Sequence, residues 1–180
     1  TEGTWANRFM KSDLEKIVPY LRQLQQAGIP VLWRPLHEAA GKWFWWGNGS
    51  AASYVKLWRT MYDYFRQQGI NNLIWVWTSE KADADWYPGD EYVDIIGTDV
   101  YGKDGSAVTA EEMAARFNEL AYRYPSKMIS LTECGTVADI PSQWKSDAAW
   151  SWFMPWYGDG HASDEWWKAA MNSEDVITRK

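Results

Sequence analysis

The chain is poor in the residues from which many reactive centres are built. Among its 180 residues there is one cysteine, Cys134, and there are two histidines, His37 and His161. A single thiol closes no internal disulfide. With so few nitrogen and sulfur donors there is no ligand cluster at the spacing of a zinc site, so no metal is expected. Gly-rich phosphate loops are missing too: "YGKDG" and "YGDG" match neither the P-loop nor the dinucleotide pattern, and no cofactor is expected. No run approaches the roughly 18 apolar residues of a membrane-spanning helix, and "TEGTWANRF" has no signal-peptide architecture. Positive charge is scarce. Eighteen Lys and Arg stand against 24 Asp and Glu, a net charge of -6, which argues against a nucleic-acid partner whose phosphates must be neutralised.

Tryptophan, by contrast, is abundant, with 15 residues, and aromatics make up 17% of the chain. Each buried indole needs a partner for its N–H, so a core alone rarely uses so many. Surfaces rich in tryptophan stack against flat ligands, and with phosphate disfavoured a neutral polymer such as a polysaccharide is the better candidate. The densest stretch is "WRPLHEAAGKWFWWG", residues 33 to 47, where five rings surround Arg34, His37 and Glu38.

Hydrophobic periodicity predicts a helix over 12–27, opened by a Ser12/Glu15 capping box, interrupted by Pro19 and stopped at Gly28. Further helices are expected over 51–68, 110–123 and about 163–171. Five near-continuous apolar runs read as buried strands, near 31–37, 72–78, 93–100, 127–133 and 149–156. Alternation of such strands with amphipathic helices indicates an α/β fold with a parallel sheet. Polar and aromatic residues gather at the carboxyl ends of the strands (His37 and Glu38, Trp77, Asp99 and Tyr101, Glu133, Trp156), where a (β/α)8 barrel keeps its active site. Five strands are fewer than eight, and the first element is a helix, so the chain reads as the larger, later part of a TIM barrel lacking the first three strands. An open doubly wound sheet is the alternative. No domain boundary is evident, and residues 1–180 read as one catalytic domain.

Glu38 and Glu133 each end a predicted strand. Two carboxylates at one barrel mouth suit glycosidic cleavage, one protonated to donate to the leaving oxygen and the other ionised to attack or to activate water. Arg34 shares strand parity with Glu38 if that strand is regular, and is expected to point inward one layer below and to orient a carboxylate.

"VLWRPLHEAAGKWFWWG" resembles the strand-four signature of glycoside hydrolase family 26, the family of many endo-β-1,4-mannanases, and "YLRQLQQAGIPVLWRP" is similar to its third helix and fourth strand. "IIGTDVYG" and "LTECG" resemble its strand-six and strand-seven segments. The resemblance covers essentially the whole chain, from loop three to strand eight of the barrel. It implies that Glu38 is the acid/base and Glu133 the nucleophile of a retaining mechanism. It further implies that His37 helps to position the nucleophile and that Tyr101 hydrogen-bonds it. Trp43 falls where the family has a sugar-contacting indole, and Trp156 resembles the platform beneath the cleaved sugar. Trp45 and Trp46 are expected to divide between cleft wall and support, and Trp33 to pack against helices. Asp99 resembles an acid near Tyr101, and His161 reads as a solvated loop residue. Ala40 departs from the pattern, since many members carry Asn there.

The resemblance also implies a β-mannan or manno-oligosaccharide substrate, a secreted, periplasmic or cell-surface location, and a partner in the missing N-terminal part of the barrel. Relatives acting on β-1,3-xylan or mixed-linkage glucan are the near alternative. A non-catalytic carbohydrate-binding protein is the distant one, although it has no need of two strand-end glutamates. An open half-barrel exposes strand edges and apolar surface, so 180 residues by themselves are expected to aggregate or to need a partner.

Overall fold

Thr4 opens the first helix by accepting a hydrogen bond from the Asn7 amide, and the computed structural model describes residues 3–157 and 161–178. The chain forms two compact units, Thr1–Trp77 with Ala82–Asp94, and Thr78–Lys81 with Ile95–Lys180.

In the first unit α1 (Trp5–Gln26) buries Leu14, Val18 and Leu21, one stripe at helical spacing. It starts seven residues before the expected cap, so Ser12 lies in its interior rather than at its end. Pro19 lies on the exposed face, where water can satisfy the carbonyl that proline leaves without an amide partner. Gly28 then takes the left-handed conformation, φ 69°, that ends the helix. Strand β1 (Val31–Trp33) pairs in parallel with β2 (Leu73–Ser79), Val31 opposite Leu73 and Trp33 opposite Trp75. Between them α2 (Ala51–Gln67), capped by Ser50, buries Tyr54, Trp58, Met61 and Phe65. Trp58 meets Trp75 at 5.6 Å between centroids, and its indole N–H donates to the Tyr92 carbonyl at 3.0 Å. That partner is what allows an indole to be fully buried, where removing its apolar surface from water contributes roughly 2–3 kcal/mol.

β1 is shorter than the predicted 31–37 strand. Pro35 has no N–H to give the ladder and holds Arg34 away from helical angles, and Leu36 and Glu38 are both left-handed, φ 52° and 53°. Two-residue alternation therefore stops at Trp33, and the parity that would have aligned Arg34 beneath Glu38 does not hold.

The second unit carries three parallel strands, β3 (Ile95–Val100), β4 (Met128–Cys134) and β5 (Phe153–Pro155). Helix α3 (Ala110–Arg123) has a full Thr109/Glu112 capping box and buries Met113, Ala114 and Leu120. Arg116 ties it down, donating to Thr98 Oγ1 at 3.0 Å and to the Ser79 carbonyl at 2.7 Å. Helix α4 (Ile140–Lys145) was not foreseen, being only six residues long, although Asp139 as cap with Pro141 in the first turn is a start signal. Its Gln143 is fully buried and accepts from the Trp150 indole at 2.8 Å. That turns part of the apolar 149–156 run toward α4, and β5 is correspondingly short. Helix α5 (Asp164–Met171) is capped by Ser163. Among the described residues no helix is long and apolar enough to cross a membrane.

Candidate active site

The loop that leaves β1 folds tightly on itself. Lys42 joins Leu36 and Glu38 in the left-handed region, φ 65°, a conformation that non-glycine residues hold only when their surroundings impose it. Two glycines make the fold possible. A Cβ on Gly47 would stand 2.2 Å from the Ala39 carbonyl oxygen, and one on Gly41 would stand 2.0 Å from the Trp43 ring. The Trp43 indole thus lies across Gly41, and its N–H donates to Glu38 Oε2 at 2.9 Å.

His37 is held by its backbone and its ring. Its carbonyl accepts from the Trp46 indole at 2.8 Å, while its ring tilts against Phe44 at 4.8 Å and Trp46 at 5.9 Å. Phe44 and Trp46 stack on each other at 4.4 Å, and the Tyr54 hydroxyl donates to the Leu36 carbonyl at 3.3 Å. The rings of this stretch therefore differ in task. Phe44 and Trp46 support the loop, whereas Trp43 and Trp45 are 60% and 70% exposed. Trp33 packs edge-on against Phe65 of α2.

In the second unit a bulge sets the geometry. Thr98 pairs with Leu131 but Asp99 pairs with Glu133, so Thr132 is an extra residue in β4. Its hydroxyl donates to Asp99 Oδ1 at 2.6 Å, and the absence of a side chain on Gly97 gives it room, since a Cβ there would be 2.3 Å from Thr132 Cγ2. Glu133 is buried at the carboxyl end of β4 and accepts from the Tyr101 hydroxyl at 2.6 Å, short enough for a charge-assisted bond. The Trp156 amide donates to the Cys134 carbonyl at 2.8 Å, which fixes that residue's backbone beside Glu133. The Trp156 ring is partly exposed and tilts against Tyr157 at 5.0 Å.

His161 is not a solvated loop residue. It is half-buried, with its ring perpendicular to Tyr101 at 6.0 Å between centroids. Nothing local in "GHASD" announces this, because the contact joins residues 60 positions apart.

Cys134 follows Glu133 and is fully buried. Burial, and then the negative charges of Asp99 and Glu133, push its thiol from an ordinary 9.0 up to about 12. The thiol stays protonated and unreactive in the native protein. Iodoacetamide at pH 8 is expected to leave Cys134 unmodified until the chain is unfolded, as read by mass spectrometry; rapid native labelling would contradict this placement. The thiol ionises near 9.0 when unfolded and near 12 when folded, so its contribution to stability is intact below pH 9 and lost as pH rises toward 12. Cys134→Ala should flatten that alkaline decline.

Comparison with known proteins agrees in sequence and in fold. The profile of glycosyl hydrolase family 26 matches residues 1–177. A mannan endo-1,4-beta-mannosidase of Thermothelomyces thermophilus is 40% identical over 168 residues, which are 92% of this chain and 32% of that protein. Mannan endo-1,4-beta-mannosidase B of a Piromyces species is 36% identical over 175 residues, 97% of this chain and 29% of that protein. The chain thus spans about three-tenths of the length of these relatives. Among solved structures, the family 26 domain of an endo-beta-mannanase/endo-beta-glucanase from Prevotella bryantii superposes with a TM-score of 0.90 at 45% identity, covering 98% of this chain and 59% of that one. A beta-mannanase from a symbiotic protist of the termite Reticulitermes speratus, complexed with gluco-manno-oligosaccharide, gives a TM-score of 0.87 at 41% identity, over 99% of this chain and 56% of that one. The fold is accordingly that of a (β/α)8 barrel, of which this chain supplies strands four to eight.

Proposed function

We propose, on the premise that the chain belongs to glycosyl hydrolase family 26, that it is the larger part of the catalytic domain of a retaining endo-β-1,4-mannanase. The observation that carries this reading is the setting of Glu133. It is a buried carboxylate at a strand's carboxyl end, held by the Tyr101 hydroxyl and opposite a second acid, Asp99. A carboxylate so oriented, with one oxygen fixed by a hydrogen bond, is prepared to act as a nucleophile on an anomeric carbon.

In this reading Glu133 attacks C1 of the mannosyl unit and the C1–O bond to the leaving sugar breaks. Glu38 gives its proton to the departing oxygen. A covalent glycosyl-enzyme remains. Glu38, now ionised, takes a proton from water as that water attacks C1, and Glu133 leaves with its original charge. Trp43 orients the Glu38 carboxylate through its indole N–H and offers its exposed face to sugar. Trp156 is the platform beneath the cleaved unit, and His37 steadies the nucleophile. The barrel's first three strands complete the cleft. The relatives' names support mannan, as does the gluco-manno-oligosaccharide in the termite symbiont's enzyme. A polymeric substrate, too large to enter a cell, supports a secreted, periplasmic or cell-surface location.

A reducing-sugar assay of the full-length enzyme on galactomannan, β-1,3-xylan and mixed-linkage β-glucan tests the reading. Galactomannan should be cut to short manno-oligosaccharides. Activity confined to xylan or glucan would overturn the substrate, and binding without release of reducing ends would overturn the enzyme.

A further inference from the structure

Tyr101 can hold a nucleophile only if its own ring is held, and β3, which ends at Val100, does not hold it. We infer that Gly135 and His161 form a slot that fixes the Tyr101 ring, which makes both of them positioning residues for the hydrogen bond to Glu133. The inference rests on the proposed roles of Glu133 and Tyr101.

Gly135 forms one wall. A Cβ at this position would stand 2.7 Å from Tyr101 Cδ1 and 3.2 Å from Cε1. Its φ is not left-handed, so the backbone does not demand glycine here. The closeness of the tyrosine ring does. The Gly135 amide donates to the Val100 carbonyl at 3.0 Å, which locks this wall to the residue preceding Tyr101.

His161 forms another wall, its imidazole perpendicular to the phenol at 6.0 Å and 82°. Edge-to-face packing of this kind is the favoured arrangement of two aromatic rings. The His161 Nδ1 is buried with no hydrogen-bond partner among the described residues and lies 3.4 Å from the site of a Gly135 Cβ. An imidazole nitrogen buried without a partner is not what positions the ring. The contribution of His161 is its flat shape, which a phenyl ring reproduces. Two residues later Ser163 caps α5, and Trp166 of that helix donates to the carbonyls of Val137 and Ala138 at 3.2 and 3.1 Å. The His161 wall is thereby anchored to the segment that follows Gly135.

The test is a set of kinetic double-mutant cycles in the full-length enzyme on manno-oligosaccharide, using Gly135→Ala, His161→Ala and His161→Phe, each alone and combined with Tyr101→Phe. Tyr101→Phe alone should lower kcat about tenfold, and His161→Ala about fivefold with KM within about twofold. Gly135→Ala should cost at least as much as His161→Ala, and His161→Phe should stay within about twofold of the parent. Once Tyr101 has lost its hydroxyl, the slot has nothing to position, so the other substitutions should add less than about twofold. A purely structural role would not show this coupling. Losses that multiply in the Tyr101→Phe background would overturn the slot, as would a raised KM with unchanged kcat, which would make His161 a sugar contact. Tyr101→Phe at the parent rate would instead remove the underlying role of Tyr101, and the slot with it. If Gly135→Ala fails to unfold cooperatively, the contrast between His161→Ala and His161→Phe decides.

Discussion

Glu133→Ala should abolish hydrolysis of mannan, lowering kcat by at least about 10⁴-fold, or roughly 5.4 kcal/mol of barrel-assembled transition-state stabilisation. The reason lies in the chemistry rather than the fold. In the proposed mechanism the carboxylate is the group that forms the glycosyl-enzyme, and a proton from Glu38 cannot replace it. Binding should survive, because the exposed rings of Trp43 and Trp156 are untouched by the substitution, and calorimetry with manno-oligosaccharide should give a Kd within a fewfold of the parent. The space left by the side chain should admit a small anion. Azide added to the variant should attack C1 from the face that Glu133 uses, with Glu38 protonating the leaving oxygen. The product would be a mannosyl azide of inverted, α configuration. Cleavage at the parent rate would take the nucleophile's role from Glu133, and a β-azide would show that the carboxylate works from the other face.

Much of this arrangement was legible because sequence periodicity and local turn chemistry agree in it. Helix α3 matches the expected 110–123 span residue for residue, and in the structure the Thr109/Glu112 cap and the stripe of Met113, Ala114 and Leu120 specify one start and one face. Helix α2 and strand β2 were equally plain, bounded by Ser50, Gly69 and apolar runs. The loop after β1 was misread as strand because its apolar residues continue past Pro35, while the left-handed turns at Leu36 and Glu38 have no signature in residue type. The same limit applied to the site. Glu38, Glu133 and Tyr101 stand out by type and motif. What holds them does not. The bulge at Thr132 depends on register between two strands more than 30 positions apart. The glycines at 41, 97 and 135 are demanded by side chains folded over them, not by their own backbone angles. His161 reaches Tyr101 only because α5 and its cap bring the segment back. Functional groups are carried by residue identity, and their positioning by contacts that tertiary structure alone creates.

Glu38→Ala should separate the two carboxylates by their chemistry. A sugar leaving group is a poor one and needs a proton as the C1–O bond breaks, so on mannan the variant is expected to lose about 10³-fold in kcat/KM. A dinitrophenyl β-mannobioside needs no such help, because its phenolate is already stable. Formation of the glycosyl-enzyme from that substrate should remain within a fewfold of the parent. If Glu38 is also the base that takes water's proton, breakdown of the intermediate should become limiting, so stopped-flow recording should show a burst of one phenolate per active site followed by slow turnover. The fold should not suffer. Trp43 loses its acceptor at Glu38, but its ring is largely exposed, and water can take the indole N–H at little cost. Equal losses on both substrates, with no burst, would mean that Glu38 does not donate the proton; an additional effect on binding alone would move it to the wall of the cleft, alongside Trp43.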